Sequence, residues 1–356
     1  MARRIRRMGG PLDPRSQAIL RAVIEEHITT AAPVGSQALV ERYGLDVSSA
    51  TVRNILAELE LAGLLTHPHT SAGRLPTDAG YRYYVESLTG AATLPAVEQL
   101  MIRHQFGQVE YASEHWFRLA ASILATTTHA AGLATPAKPR AARVRRIDLV
   151  AVQERLASLI VVLRQGSIKQ VLVTLDAPTH QEALGAVSDL VNETVADLTA
   201  EQIERRLGRF DEMTLVGALA CRVAERVAGL LRDYDAATIE DLFSDGLLNV
   251  MAAPEFTETQ KIRRVFAALE NRAYLSDLIG AVAGDGPGSV RVFIGHENPP
   301  EEMSDVSLVL AAYGSPGQAV GVVGVLGPTR MPYPLAIGTV RFVSGLMHEL
   351  VGHSYA

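Results

Sequence analysis

The side chains best suited to chemistry in this 356-residue chain lie close together near its start. Ser48, Ser49, Thr51, Arg53 and Asn54 crowd the opening turns of a segment in which Val52, Ile55 and Leu56 recur at helical spacing. An arginine can grip guanine O6 and N7 and an asparagine adenine N6 and N7, each worth about 1–3 kcal/mol of discrimination between bases. Small hydroxyls at a helix start, beside free backbone N–H groups, suit phosphate oxygens. Downstream, the loop Thr70-Ser71-Ala72-Gly73-Arg74 adds two hydroxyls and one cation of the kind that reaches a minor groove or a phosphate. The alternative is a surface helix with polar residues where water meets it, and the helix alone does not separate the two readings.

Other reactive sets fail on spacing. His348 and His353 sit in a His-Glu-Leu-Val-Gly-His run, but a helical zinc pair needs histidines four residues apart. Five residues turn the second imidazole about 140° away from the first. Gly284-Asp285-Gly286-Pro287-Gly288 lies between a helix and a strand, the reverse of a phosphate-cradling loop, and Pro287 removes a donor. The acids Asp233, Asp235, Glu240, Asp241 and Asp245 read as a solvated helix face, and no nucleophile elbow is present. The expectation is a protein that is not an enzyme, with no catalytic residues, metal or cofactor.

The elements that must carry Arg53 and Asn54 follow from periodicity. Residues 12–27 form an amphipathic helix with Ile19, Leu20, Val23 and Ile24 on one face, broken by Pro33 and Gly35. Ser36 reads as the N-cap of a short helix 37–43 ended by Gly44, and a third helix spans 50–62 with Gly63 as its stop. A strand at 64–66, the polar loop and a helix from 77 to 88 complete the unit, with Tyr81, Tyr83 and Tyr84 packing that last helix rather than stacking on bases. Three helices, a tight turn and a strand–loop–strand are the order of a winged helix-turn-helix. Beyond it, 90–139 reads as mostly helical. Strands are expected at 147–153, 156–164 and 169–175, helices through 198–280, strands at 290–295, 306–313 and 318–326, and a final helix from about 334 to 351. Asp211, Thr199, Thr238 and Thr257 are the expected helix caps.

Composition narrows the class. Hydrophobic residues make up 48% and charged residues 20%, which fits a folded chain of two or three domains. The net charge of −6 requires any nucleic-acid contact to come from a local basic surface. Met1–Gly10 supplies Arg3, Arg4, Arg6 and Arg7, and a second basic run, Lys138, Arg140, Arg143, Arg145 and Arg146, reads as a solvated entry to the next domain. Cys221 is the single cysteine, so no internal disulfide forms. The longest apolar runs, 156–163 and 319–326, are far short of the roughly 18 residues a membrane span needs, and a reducing cytoplasm is expected.

Several motifs together carry a family resemblance. Pro33-Val34-Gly35-Ser36, Ser48-Ser49-Ala50-Thr51-Val52-Arg53-Asn54, Leu59-Glu60-Leu61-Ala62-Gly63-Leu64-Leu65, the stretch His67 to Thr77 and Gly80-Tyr81-Arg82-Tyr83-Tyr84-Val85 resemble the HrcA family of bacterial heat-inducible transcription repressors. Ile294-Gly295-His296-Glu297 and Gly324-Val325-Leu326-Gly327-Pro328-Thr329-Arg330-Met331-Pro332-Tyr333 agree independently. The resemblance runs from about residue 12 to 350. It implies an α+β protein: an N-terminal winged helix-turn-helix, then a GAF-like α/β domain with an inserted, mostly helical dimerisation domain. The expected boundaries are a basic arm at 1–10, the winged-helix domain at 11–88, a helical linker at 89–140, the GAF-like domain in two parts at 141–195 and 286–356, and the insertion at 196–285.

The same resemblance implies a homodimer that binds double-stranded operator DNA at an inverted repeat called CIRCE and represses chaperone operons. The GroEL chaperonin keeps it active until heat diverts the chaperonin to unfolded clients. In that frame Arg53 and Asn54 read bases, Ser48, Ser49, Thr51, Thr70 and Ser71 line the contact, and Arg74 clamps from the wing. Three rivals stay open: a winged-helix sensor of a small metabolite, an enzyme on the strand-rich domain, and an interaction scaffold.

Overall fold

The computed structural model describes residues 12–354 apart from 45–46, 69–72, 91, 110–112, 140, 165–166, 237–241, 257–258, 284–287, 300 and 316–318. It is a mixed helix-and-sheet fold dividing into two compact units, one of residues 1–137, 241–315 and 321–352, the other chiefly of residues 138–240.

The first unit begins with a small head. Helix α1 (Pro14–Thr30) starts at Asp13, whose carboxylate accepts from the Arg15 and Ser16 amides, and Pro14 follows, where a missing N–H does no harm. Ile19, Leu20, Val23 and Ile24 are buried, the 3-4 stripe of the sequence. Helix α2 (Ser36–Tyr43) starts one residue earlier than expected. Ser36 is therefore not its cap, and its Oγ lies 3.1 Å from Ser49 Oγ instead. Helix α3 (Ser49–Leu61) buries Val52, Ile55, Leu56 and Leu59 and closes with Gly63 N–H donating to Glu60 O and Leu64 N–H to Leu59 O. Strands β1 (Leu65–Thr66) and β2 (Leu75–Pro76) form an antiparallel ribbon, Leu65 facing Pro76. Helix α4 (Asp78–Tyr83) runs on as a π-turn over Tyr84–Leu88. Tyr81 and Tyr84 are buried, as expected of packing residues.

Helices α5 (Ala96–Gly107) and α6 (Ser113–Thr128) lead to strands β3 (Ala131–Ala134) and β4 (Lys138–Pro139). The second unit holds β5 (Val144–Gln153), β6 (Leu156–Leu163), β7 (Ile168–Thr174), α7 (Gln181–Val195), α8 (Ala200–Glu204) and α9 (Leu215–Ala236). Its core joins Ile147, Leu149, Leu159 and Val161 to Leu184, Val187, Val191, Val223 and Val227. The free edge of β5 is sealed by α7: Gln181 accepts from Ala151 N–H, Ser188 from Leu149 N–H and Asn192 from Ile147 N–H. Thr199 caps α8 as expected, with Gln202 completing a capping box. At α9 it is the Thr214 hydroxyl, rather than Asp211, that accepts from the Gly217 amide. Thr238 and Thr257 lie outside the described residues.

The chain then returns to the first unit through β8 (Phe243–Asp245), α10 (Leu247–Met251), α11 (Thr259–Glu270), α12 (Arg272–Ala283), β9 (Val290–Ile294), β10 (Val306–Ser315), β11 (Ala319–Pro328) and α13 (Tyr333–Ser354). Its sheet runs β8-β3-β11-β10-β9, with β4 also on β11. Strand pairing thus divides the chain differently from the expected plan. Strands β5, β6 and β7 do not join β9, β10 and β11 in one sheet; among the described residues they pair only with one another. The missing partners are β3 and β8, of four and three residues. Inserted residues therefore lie between β4 and β8 rather than at 196–285.

Candidate nucleic-acid interface

Helix α3 presents two chemically distinct faces. Because 3.6 residues make a turn, burying positions 52, 55, 56 and 59 turns 50, 53, 54 and 57 outward together. Ala50, Arg53, Asn54 and Ala57 are exposed accordingly. Neither Arg53 nor Asn54 bonds another described residue, so the guanidinium and the amide are unspent. The alanines one turn before and after leave room for a surface to approach closely, a feature apparent only once the face was fixed.

The hydroxyls at the helix start are partly committed. Ser48 is the N-cap: its Oγ accepts from Thr51 N–H at 3.1 Å and lies 3.0 Å from Thr51 Oγ1. Ser49 meets Ser36 across the α2–α3 turn. These contacts tie the first turn of α3 to its cap and to the start of α2. Thr70 and Ser71 lie outside the described residues.

Arg74 is not an open cation at a loop tip. Its backbone pairs with Val34 in both directions at 2.9 Å, and its Nη2 lies 2.8 Å from Glu60 Oε2 on α3. Nε is buried without a partner among the described residues. His67 Nδ1 bonds the other Glu60 oxygen. The β1–β2 loop is thereby tied at its base to the helix that carries Arg53. Gly73 is required beside it, since a Cβ there would stand 2.5 Å from the Val34 carbonyl carbon. No local pattern links residues 60 and 74, so sequence reasoning missed Glu60; opposite charges flanking a two-strand ribbon were the available signal.

The electrostatics are unusual for a nucleic-acid surface. Residues 12–88 carry six arginines, no lysine and nine acids, a net of −3, whereas Met1–Gly10 carries four arginines and no acid. In the last turn of α1, burial holds the His27 imidazole below its ordinary value, with Arg330 adding to the effect and the Ala32 carbonyl and Glu255 opposing it. Burial, reinforced by Glu25, pushes the Tyr84 phenol up to about 12.

The other sequence candidates do not assemble. Among the described residues no group of His, Cys, Asp and Glu could hold a metal ion, and no helix is long and apolar enough to cross a membrane. His348 Nδ1 lies 3.1 Å from Gly314 O; the His353 side chain and residues 284–287 lie outside the described residues. In the basic run, Arg143 donates to Asp197 O and Arg146 pairs with Asp148.

Residues 114–337 match the family described as "HrcA protein C terminal domain". Along its length the chain is 42% identical to the heat-inducible transcription repressor HrcA of Roseiflexus castenholzii, covering 97% of this chain and 96% of that one. The chain belongs to the HrcA family of heat-inducible transcription repressors. The HrcA of Herpetosiphon aurantiacus is likewise 42% identical over the same shares of both chains. The HrcA family match begins at residue 114, so it is these near-full-length relatives that tie the head and α3 to the family. One crystal structure, of a protein described as hypothetical, shares the fold at a TM-score of 0.65 and 22% identity, covering 97% of this chain and all of that one.

Proposed function

We propose that this chain is a dimeric repressor of heat-shock chaperone operons that binds the CIRCE inverted repeat and loses activity on heat shock, with the GroEL chaperonin maintaining the active form. The observation that carries the reading is that Arg53 and Asn54 on α3 are exposed, with side chains that bond no other described residue, framed by Ala50 and Ala57 and held from behind by Val52, Ile55, Leu56 and Leu59. The head is then a winged helix-turn-helix, with α3 entering the major groove and the β1–β2 ribbon as wing. The six-stranded sheet is the GAF-like body. Its action is cytoplasmic, where operator and chaperonin are found.

A two-fold dimer suits an inverted repeat because each half-site meets an identical helix. We assign dimerisation to the inserted unit of β5, β6 and β7. One face of that sheet is covered by helices; on the other, Val150 and Leu172 both stand opposite Ser158, and Ile168 stands opposite Val162. Ile168 and Leu172 are 65% and 61% exposed, with Gln170 between them on the same face donating to Ser158, and these exposed apolar side chains support burial against a second copy. Heat sensitivity needs only marginal stability, since a change of about 1–2 kcal/mol is a large part of a typical folding free energy.

The metabolite-sensor reading has one observation in its favour: a groove of about 610 Å³ in the inserted unit, walled by Leu175, Pro178, Val187, Leu215 and Leu219 with Arg222 at its edge. The test is fluorescence-anisotropy titration of a CIRCE duplex and a scrambled duplex, with and without GroEL, across a salt series. Operator preference that improves with GroEL is expected. No preference from folded, dimeric protein would return the metabolite reading to first place.

A further inference from the structure

Two motifs, Ile294–Glu297 and Gly327–Tyr333, stand more than 200 residues from α3 and have no place in reading DNA. Both converge on the head. Arg82 on α4 donates from Nε to Glu297 Oε1 at 2.8 Å, from Nη2 to the other Glu297 oxygen, and from Nη2 to Val292 O at 2.6 Å. Asp78, at the start of the same helix, accepts from the His296 amide at 2.9 Å and lies 2.8 Å from His296 Nδ1. Gly295 has φ +50°, and a Cβ there would stand 2.5 Å from the Asp78 carboxylate, so the contact demands glycine.

The second motif grips another part of the head. Arg330 Nη1 donates to Ile28 O in the last turn of α1 at 3.1 Å while its Nε bonds Glu255. A cation at that end of a helix meets orphan carbonyls and the negative pole of the dipole. Between the two grips, the Tyr81 and Tyr333 rings lie 5.8 Å apart, and the Tyr333 hydroxyl donates to Thr329 O at 2.7 Å.

We infer that Arg82, Asp78 and Arg330, with Glu297, His296 and the α1 carboxyl end, form a latch that fixes the orientation of the head on the sheet body and thereby narrows the range of half-site spacings the dimer accepts. A bidentate arginine–carboxylate pair fixes direction as well as distance, and grips on two separate helices remove the swing that a single contact would leave. The inference rests on the operator-binding reading. It concerns positioning: none of these side chains lies on the exposed face of α3.

The test uses the full-length protein and four duplexes: the natural inverted repeat, one with its spacer changed by about two base pairs, a single half-site and a scrambled control. Such a change moves one half-site by roughly 7 Å and rotates it by about 70°. The wild-type protein is expected to lose at least about 30-fold on the altered spacer. Arg82→Ala and the milder Glu297→Gln should lose less than about 5-fold while binding the single half-site as wild type does. Variants that stay as strict about spacing as wild type overturn the latch alone, and so do variants that lose the half-site, which would make the contacts a folding requirement of the head. A wild-type protein that does not distinguish the repeat from scrambled DNA removes the operator reading and the latch together.

Discussion

Replacing Arg53 by alanine tests the proposed base reading apart from everything else the head does. The side chain is exposed and bonds no other described residue, and alanine is at least as good a helix former, so folding stability should change by less than about 0.5 kcal/mol. A bidentate contact to guanine is worth about 1–3 kcal/mol, and a dimer on an inverted repeat makes it twice, so operator binding should weaken by about 2–6 kcal/mol. At 1.4 kcal/mol per tenfold this is a loss between about 30-fold and 10⁴-fold. Scrambled duplex, held through phosphates, should lose far less. Anisotropy titrations on both duplexes, paired with urea unfolding of the same preparation, give the three numbers needed. Equal losses on operator and scrambled DNA would reduce Arg53 to a phosphate contact, and a stability loss above about 1 kcal/mol would make it a packing residue.

Removing Met1–Gly10 should lower the slope of log K against log salt by up to about 0.9 for each of its arginines that meets a phosphate; an unchanged slope means the arm stays off the DNA. Glu60→Gln should destabilise the head by about 1–2 kcal/mol in urea titrations, because it leaves the largely buried Arg74 guanidinium with a weaker partner; an unaltered midpoint would show the pair to be dispensable. The pH response of His27 has a definite sign. Its folded-state value lies below the ordinary 6.5, so its contribution to stability is present above about pH 6.5 and is lost as pH falls from there through the folded value. Wild type should therefore lose more stability than His27→Gln between about pH 7.5 and 5.5, and identical losses would exonerate His27.

What the sequence made legible was whatever local periodicity and capping control. The stripes of α1 and α3, the Gly44 and Gly63 stops and the burial of Tyr81 and Tyr84 all follow from side chains within a turn or two of one another. The departures each need tertiary information. Strand β3 is Ala-Gly-Leu-Ala inside a stretch of helical composition, too short to alternate, and its role comes from pairing with β11 almost 200 residues away. Runs of Val, Ile and Leu announced the longer strands without saying which would pair, so β5, β6 and β7 were joined to the wrong sheet. At the site, the exposed Arg53 and Asn54 were readable because burial of their neighbours dictates their direction. The fate of Arg74 was not, because a partner fourteen residues distant decides it.

The acid balance of residues 12–88 has a consequence for the crowded chromosome. Most DNA-binding heads carry a positive surplus that keeps them on arbitrary sequence between visits to their target, so the genome acts as a reservoir. On the operator-binding reading, residues 12–88, with three more acids than arginines, gain little from random phosphates, and that attraction rests on the four arginines of Met1–Gly10. If the arm stays off arbitrary DNA, occupancy on that reading follows the amount of competent protein directly. A modest fall in that amount empties the operator promptly, and its recovery refills it as promptly.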